Sequence, residues 1–198
     1  EQMFKLKSTV IYHGVSNKIE RVQTPSEDIV NTLPQQFVLH LGGNCPSRGT
    51  AIALDAFKKC GELTRRGVKC IVLGQFYNSH LYKQYKSDNT FIFLDYVSDS
   101  DLLYLYQHCQ VFLSTSIKEG FGFGPLEAIM SGAPTLVLKS EIADEILGNI
   151  GVFTVPKQLF PDKIQELALK DSHNDFSEAC MNYYQWSKSV EKHQRILF

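Results

Sequence analysis

The sequence predicts an α/β fold, a Rossmann-like doubly wound parallel sheet of about six strands with helices on both faces. Three observations predict it. Short apolar runs alternate along the chain with stretches of helical period. Those runs are continuously apolar, as strands covered on both faces must be. The chain has 198 residues, 43% of them apolar and 21% charged, enough to bury one core without staples.

The elements follow in order. Ser8 to Tyr12 (STVIY) is β-branched and closed by His13-Gly14, which predicts an entering strand and a turn. Residues 16–35 are polar, contain Pro25 and Pro34, and read as a connection. Phe37 to Leu41 is a buried strand ending in Gly42-Gly43. From about Arg48 to Thr64 the positions Ile52, Ala53, Ala56, Phe57, Cys60 and Leu63 form one face of a helix. Lys69 to Leu73 is a second strand, closed by Gly74, and Phe91 to Leu94 a third. Between them, about 78–86 is Tyr-rich with helical character, and Tyr77, Tyr82 and Tyr85 read as its half-buried face.

Ser98 or Asp99 caps the next helix, whose apolar face is Leu102, Leu103, Leu105, Tyr106 and Cys109. Val111 to Ser114 is the fourth strand. A glycine-rich loop leads into a helix from about Pro125 to Ser131, ended by Gly132. Pro134 to Leu138 is the fifth strand and Gly151 to Val155 the sixth. Helices fit about 161–170 and 175–197.

Composition removes several classes of function. Lys plus Arg number 20 and Asp plus Glu 21, so no strong field draws the chain to nucleic acid or anionic lipid. No apolar run approaches the ~18 residues that span a bilayer. Glu1, Lys5 and Lys7 interrupt the start, unlike a signal peptide, and the missing initial Met suggests a piece of a longer chain. Five Cys at irregular spacing, with no C-x-x-C pair, argue against a disulfide framework and structural zinc. They read as small buried hydrophobes in a reducing, cytoplasmic setting. The six His show no metal-ligand spacing.

In such sheets, ligands sit beyond the carboxyl ends of the strands, near the switch in strand order. One loop there stands out. Residues 119–127 read Glu-Gly-Phe-Gly-Phe-Gly-Pro-Leu-Glu. Glycines let a backbone approach a ligand closely, and N–H groups at a helix start attract an anion. Glu119 and Glu127 flank them, and paired carboxylate oxygens suit the hydroxyls of a sugar or ribose diol.

The run from Ser116 to Pro134, with Glu119-Gly-Phe-Gly-Phe-Gly-Pro-Leu-Glu127 at its centre, resembles the E-x7-E signature of retaining glycosyltransferases with the GT-B fold, family 4 above all. Phe37 to Gly49 is similar to that family's first strand and diphosphate loop, and Tyr96 to Tyr106 to the segment after its third strand. Thr9 to Val15 resembles the linker strand, and Tyr184-Gln-Trp186-Ser the final crossover helix. The resemblance implies that residues 1–198 are one nucleotide-sugar-binding domain, the C-terminal half of a GT-B fold. In it, 1–35 would be an entering strand and linker and 175–198 the crossover helix. An N-terminal acceptor domain would be absent.

The resemblance also assigns roles. Glu119 would bind the donor sugar and Glu127 the ribose diol. The backbone of Gly120, Phe121, Gly122 and Phe123 would face the sugar and diphosphate, as would Gly42 and Gly43 in the first loop. Val97 would meet the nucleobase and Leu126 line the nucleotide pocket. Arg48 would stabilise the charge developing on the departing diphosphate. The expected reaction moves a glycosyl group from a nucleoside diphosphate sugar to a hydroxyl acceptor, with retained configuration, no metal and no other cofactor. The isolated chain would bind nucleotide without turnover. Peripheral membrane contact by the full-length enzyme is left open, and no nucleic acid partner is implied.

Three positions depart from the family pattern. Gly43 stands where many members carry Arg, Thr115 replaces a usual Pro, and Asp144 precedes Glu145 where Pro is common. A carboxylate beside a diphosphate would repel it, so Asp144 is expected to point away. The missing Arg at Gly43 supports one alternative, a non-catalytic nucleotide-sugar-binding module. Asp99-Ser100-Asp101 is read as a helix cap rather than a metal-binding D-x-D. Gly42-Gly43 alone is too little for a dinucleotide-binding fingerprint, and neither a nucleophile elbow nor a P-loop is present.

Overall fold

A computed structural model of the chain describes residues 9–15, 24–76, 79–150, 152, 154–170 and 175–197. Its centre is one parallel sheet of five strands: β1 (Phe37–Leu41), β2 (Lys69–Leu73), β3 (Phe91–Leu94), β4 (Val111–Ser114) and β5 (Thr135–Val137). Their order is β3-β2-β1-β4-β5. β1 therefore pairs with β2 on one side and β4 on the other, with Leu39 opposite both Ile71 and Phe112. That is the switch point, where a crevice opens between strands whose connections leave in opposite directions.

Helices cover both faces. α2 (Thr50–Lys58), α3 (Gly61–Arg65) and α8 (Phe160–Ala168) pack on one of them. There Ala53, Leu54, Phe57, Leu63, Phe160 and Ile164 close over Val38, Val72, Val111 and Leu113. α5 (Asp99–His108) and α6 (Phe123–Met130) take the other, where Leu105, Tyr106 and Ala128 meet Phe37, Leu39, Ile71 and Phe112. Successive strand residues thus point to opposite cores, and both cores are apolar. A third cluster joins Phe121, Leu126 and Ile129 to Val137, to Ile146 and Leu147 of α7 (Glu141–Gly148), and to Cys180, Tyr184 and Val15.

Among the described residues the sheet has five strands, against the expected six or so. Of the expected last strand only a single parallel bridge forms, Val155 to Leu138; Gly151 and Phe153 lie outside the described residues. Residues 9–12 of the expected entering strand pair with nothing in the sheet, and Ser8 lies outside the described residues. The long helix expected from Arg48 breaks at Cys60, which takes φ −81°, ψ 66° before Gly61, a poor helix former. The break lets both pieces reach α8. The Cys60 thiol donates to Pro161 O at 3.3 Å, and Glu62 N donates to Gln165 Oε1 at 3.2 Å.

The helix expected over 175–197 is two, α9 (Ser177–Tyr183) and α10 (Trp186–Leu197). Tyr184 ends the first because it is drawn into the core, where its hydroxyl donates to Ile146 O at 2.7 Å. Two short helices arise in stretches expected to be connections. They are α1 (Glu27–Thr32), capped by Ser26, and α7, capped by Ser140. α4 (His80–Tyr85) forms within the Tyr-rich stretch, with Tyr85 buried and Tyr82 exposed; Tyr77 lies outside the described residues.

Ser98 caps α5 and Asp101 completes a capping box. Asp101 also accepts from Ser26 N at 2.7 Å, tying the connection to the helix start. The Asp99–Asp101 string is thus engaged in capping. Four of the five Cys are buried, Cys45 alone being exposed. No helix among the described residues is long and apolar enough to cross a membrane.

A cleft at the switch point

The loops that follow β1 and β4 meet at the crevice. They are stitched by hydrogen bonds to the carbonyls of the first loop. The Thr115 hydroxyl donates to Gly49 O at 2.9 Å, and Ile117 N donates to Ser47 O at 2.7 Å. A single turn of 3-10 helix, Pro46–Arg48, ends the first loop and hands it to α2. These contacts set Arg48 opposite the start of the second loop, with Arg48 Nη1 3.9 Å from Glu119 Oε1. The guanidinium is 55% exposed and the carboxylate 29%. At that distance and exposure the pair adds little stability, so its placement is more informative than its strength.

Below them lies a cleft of about 420 Å³, within the usual range of small-molecule sites. The ends of β1 and β4, Leu41 and Ser114, form its floor, with Phe112 beside them. Arg48, Ser116 and Glu119 make one wall, and the second loop from Gly120 through Phe123 with Gly124 and Pro125 makes the rest. His13 closes the mouth.

The second loop enters α6 through Gly122, which takes the left-handed conformation (φ 87°, ψ 52°) and provides no side-chain cap. The first turn of α6 thus presents its amide end to the cleft without a side-chain oxygen of the N-cap residue over it. Pro125 occupies that turn, where an N–H would have no helical partner. An amide-lined helix start, a guanidinium and a carboxylate converge here. Chemically the arrangement can hold an anionic group and hydroxyls side by side.

The structure brings Arg48, Glu119, Gly120, Phe121, Gly122 and Phe123 around this one space. The other candidates lie elsewhere. Gly42 and Gly43 sit at the adjacent strand edge, where Gly42 N donates to Leu73 O at 2.8 Å and Gly43 N to Thr50 Oγ1 at 3.2 Å. Val97 is half-buried beyond β3, against the α5 core. Leu126, expected to line the pocket, is fully buried in the third cluster and lines no part of the cleft. Its helix face turns toward α9, where the Cys180 thiol meets Leu126 O. Glu127 is half-buried on α6, near Tyr106. Burial first, and then that carboxylate, push the Tyr106 phenol up.

Other side chains acquire definite positions. Asp144 accepts from Thr154 and lies 3.9 Å from Lys139, while Glu145 accepts from the Tyr12 hydroxyl at 2.7 Å. His40 is completely buried beneath the first loop, its Nδ1 3.0 Å from Leu113 O and its Nε2 without a partner. Burial pushes its pKa down to about 4. Among the described residues no group of three His, Cys, Asp or Glu converges as a metal site would need.

His13 was missed as a site residue, because the sequence reads His13-Gly14 as a turn. The only signal for it lies in packing. Gly14 is buried so tightly that an added Cβ would sit 2.4 Å from Trp186 Cα, and Val15 N donates to Tyr184 O at 2.8 Å. Those contacts fix the segment over the loop.

The parallel sheet, the switch-point cleft and the acid-flanked glycine loop define a Rossmann-like α/β domain with a candidate ligand site. The chain belongs to the family described as Glycosyl transferases group 1, which matches residues 26–183. It is 40% identical over 123 residues to the serotype-specific mannosyltransferase WbdA of Escherichia coli, covering 59% of this chain and 15% of that protein. It is 27% identical over 148 residues to the O-antigen chain mannosyltransferase B of Escherichia coli, covering 71% and 38%. The chain thus spans well under half the length of these curated relatives.

Solved structures carry the same fold. Anabaena Alr3699/HepE, in complex with UDP and glucose, superposes with a TM-score of 0.70 at 19% identity, covering 96% of this chain and 56% of that one. WaaG, a glycosyltransferase involved in lipopolysaccharide biosynthesis, does so at 0.69 and 16%, covering 95% and 56%. The five-stranded Rossmann-like architecture is that of GT-B glycosyltransferases.

Proposed function

We propose that this chain is the donor-binding half of a retaining glycosyltransferase that takes a glycosyl group from a nucleoside diphosphate sugar to a hydroxyl acceptor. The observation that carries this reading is the approach of Arg48 to Glu119 on one wall of a cleft that the amide start of α6 also lines. In the reaction the bond from the anomeric carbon to the diphosphate oxygen breaks, and a bond to the acceptor oxygen forms. The acceptor proton leaves with the diphosphate.

Arg48 and the amides at the start of α6 stabilise the negative charge that gathers on the leaving group. That electrostatic role is the one a metal ion fills in other transferases, and the proposed reaction needs none. Glu119 accepts hydrogen bonds from sugar hydroxyls, and its attraction to Arg48 keeps both groups in place before the donor arrives. Glu127, one helical stretch further on, accepts from the ribose diol. Retention of configuration rests on the resemblance of the Glu119–Glu127 segment to the E-x7-E signature. The names of the curated relatives make a mannosyl donor the first to try.

The acceptor site belongs to the partner half, so the 198 residues alone bind donor and turn over slowly or not at all. Calorimetric titration with UDP, GDP, ADP and dTDP, and then with the corresponding sugars, tests the reading. Glu127→Ala is expected to weaken every nucleotide by about tenfold or more, as loss of hydrogen bonds to a charged group does. Glu119→Ala is expected to weaken only the sugar-bearing ligands. Equal losses on free nucleotide would refute this division, and normal transfer by the isolated chain would refute the dependence on a second half. Gly43, where many members carry Arg, favours a second reading as a non-catalytic binding module. Donor binding without transfer by the full-length protein would select it.

A further inference from the structure

Beneath the first loop two buried groups compete for one hydrogen. His40, next to last in β1, is completely buried, and its Nδ1 lies 3.0 Å from Leu113 O. A carbonyl only accepts, so Nδ1 carries the proton of the neutral ring and Nε2 is a bare acceptor. Burial keeps the ring neutral. Nε2 has no partner, although most buried polar atoms find one.

A hydroxyl stands close by. A Cβ on Gly42 would lie 2.7 Å from Thr50 Oγ1 and 3.1 Å from His40 Nε2, so both groups flank one small space beside Gly42. Thr50, the first residue of α2, is itself buried and is turned to Gly43. Its Oγ1 accepts from Gly43 N and donates to Gly43 O, both at 3.2 Å. Both bonds are long, the second beyond the usual range for a hydroxyl donor. The hydroxyl has one hydrogen, so it satisfies Gly43 O or His40 Nε2 and never both. Gly43 is where the loop has room. Its φ is +145°, and a Cβ there would meet only Gln75 O, at 3.8 Å.

Resting on the donor reading above, we infer that Thr50 and His40 form a relay under the first loop: when a diphosphate binds, the Thr50 hydroxyl leaves Gly43 for His40 Nε2 and frees the Gly43 amide for a phosphate oxygen. His40 touches no ligand and is a positioning residue. Gly43 opens the loop that Arg48 ends, so a diphosphate paired with Arg48 runs along it. The amide then supplies a donor at a position without a side chain, and the orphaned imidazole nitrogen gains its partner in the bound state.

The test uses the full-length protein that contains this chain, titrated calorimetrically with UDP, GDP, ADP and dTDP. Two exchanges at His40 separate its two nitrogens. His40→Asn keeps a donor for Leu113 O and removes the acceptor at Nε2. It is expected to leave the melting temperature close to wild type and to raise the nucleotide Kd about fivefold. His40→Gln carries an amide oxygen out to the Nε2 position and gives up the bond to Leu113. It is expected to melt earlier yet bind within twofold of wild type. In a Thr50→Val background, with no hydroxyl to hand over, His40→Asn is expected to change Kd less than twofold. The relay is overturned if affinity follows melting temperature across the His40 variants, if His40→Asn binds as wild type does, or if it costs as much affinity with Val at position 50. Should His40→Gln fail to fold, the cycle with Thr50→Val decides alone. A wild type that binds none of the four nucleotides ends the donor reading and the relay with it; binding without coupling between His40 and Thr50 ends the relay alone.

Discussion

The two loops that meet at the cleft both depend on glycine, but for opposite reasons. In the first, Gly49 is hemmed in by its own protein. Its φ is +64°, and a Cβ there would lie 1.9 Å from Thr115 O. In the second, Gly120 and Gly122 have nothing within 4 Å of where a Cβ would stand. The first glycine exists so that two loops can be stitched together. The second pair leaves space that no protein atom fills, which is what a ligand-facing backbone requires. A glycine-rich motif is therefore two kinds of evidence, and only surrounding atoms tell them apart.

The largest expected effect tests the crowded side. Gly49→Ala combines a left-handed conformation with a clash against a backbone carbonyl that cannot move independently of β4. We expect a loss of about 3 kcal/mol or more in urea unfolding. A loss under about 1 kcal/mol would mean that the loops separate easily and that Arg48 is not held opposite Glu119 by them.

The next effect concerns what lies under the first loop. A Cβ on Gly42 would stand 3.1 Å from His40 Nε2, so the loop rests on a buried neutral imidazole. Burial lowers the His40 pKa from 6.5 to about 4. Between those values the unfolded chain binds a proton that the folded chain refuses, so stability falls as pH drops from 6.5 toward 4. The full penalty below pH 4 is up to about 3 kcal/mol. His40→Asn keeps a donor for Leu113 O and removes the titration. The difference in unfolding free energy between wild type and variant should shift in the variant's favour as pH falls from 7 to 4. A constant difference across that range would place the proton elsewhere.

The strands were legible because burial on both faces writes itself as unbroken apolar runs: β1, β2, β3 and β4 fall where Phe37–Leu41, Lys69–Leu73, Phe91–Leu94 and Val111–Ser114 are expected. The helix breaks were not. Nothing in periodicity marks Cys60 or Tyr184, since each break exists to serve a partner far along the chain, Pro161 for one and Ile146 for the other. The site divides the same way. Glu119 was nameable from the chemistry of its loop and Arg48 from the family resemblance, yet their proximity comes from bonds such as Ile117 N to Ser47 O, which rest on backbone atoms every residue shares. The burial of Leu126 in the third cluster was not legible, because its place in the motif says nothing of which helix face meets α9. His13 was missed because only the packing of Gly14 against Trp186 carries it to the cleft.

A smaller effect tests the open side. Gly120→Ala meets no atom, so the melting temperature should move by no more than a degree or two, while affinity for a nucleoside diphosphate sugar falls by about fivefold because the methyl fills ligand space. If affinity holds as well as stability, the space over Gly120 is solvent and the contrast between the loops loses half its meaning.

The smallest effect asks whether the crowded loop touches ligand at all. Cys45 lies in it, exposed, and a hydrogen bond with Ser47 holds its thiol below the usual range. The other four thiols are buried, and burial pushes those of Cys60, Cys109 and Cys180 up to about 12. A disulfide reagent at neutral pH should therefore modify Cys45 first and leave the rest untouched in the folded chain. A diphosphate paired with Arg48, three residues on, adds negative charge beside a thiolate and covers the approach to it. Both changes slow the reaction, by roughly twofold to fivefold at saturating nucleotide. An unchanged rate with nucleotide bound, as judged by calorimetry on the same sample, would show that the stitched loop serves only to hold the fold. The second loop would then bind the donor without Arg48.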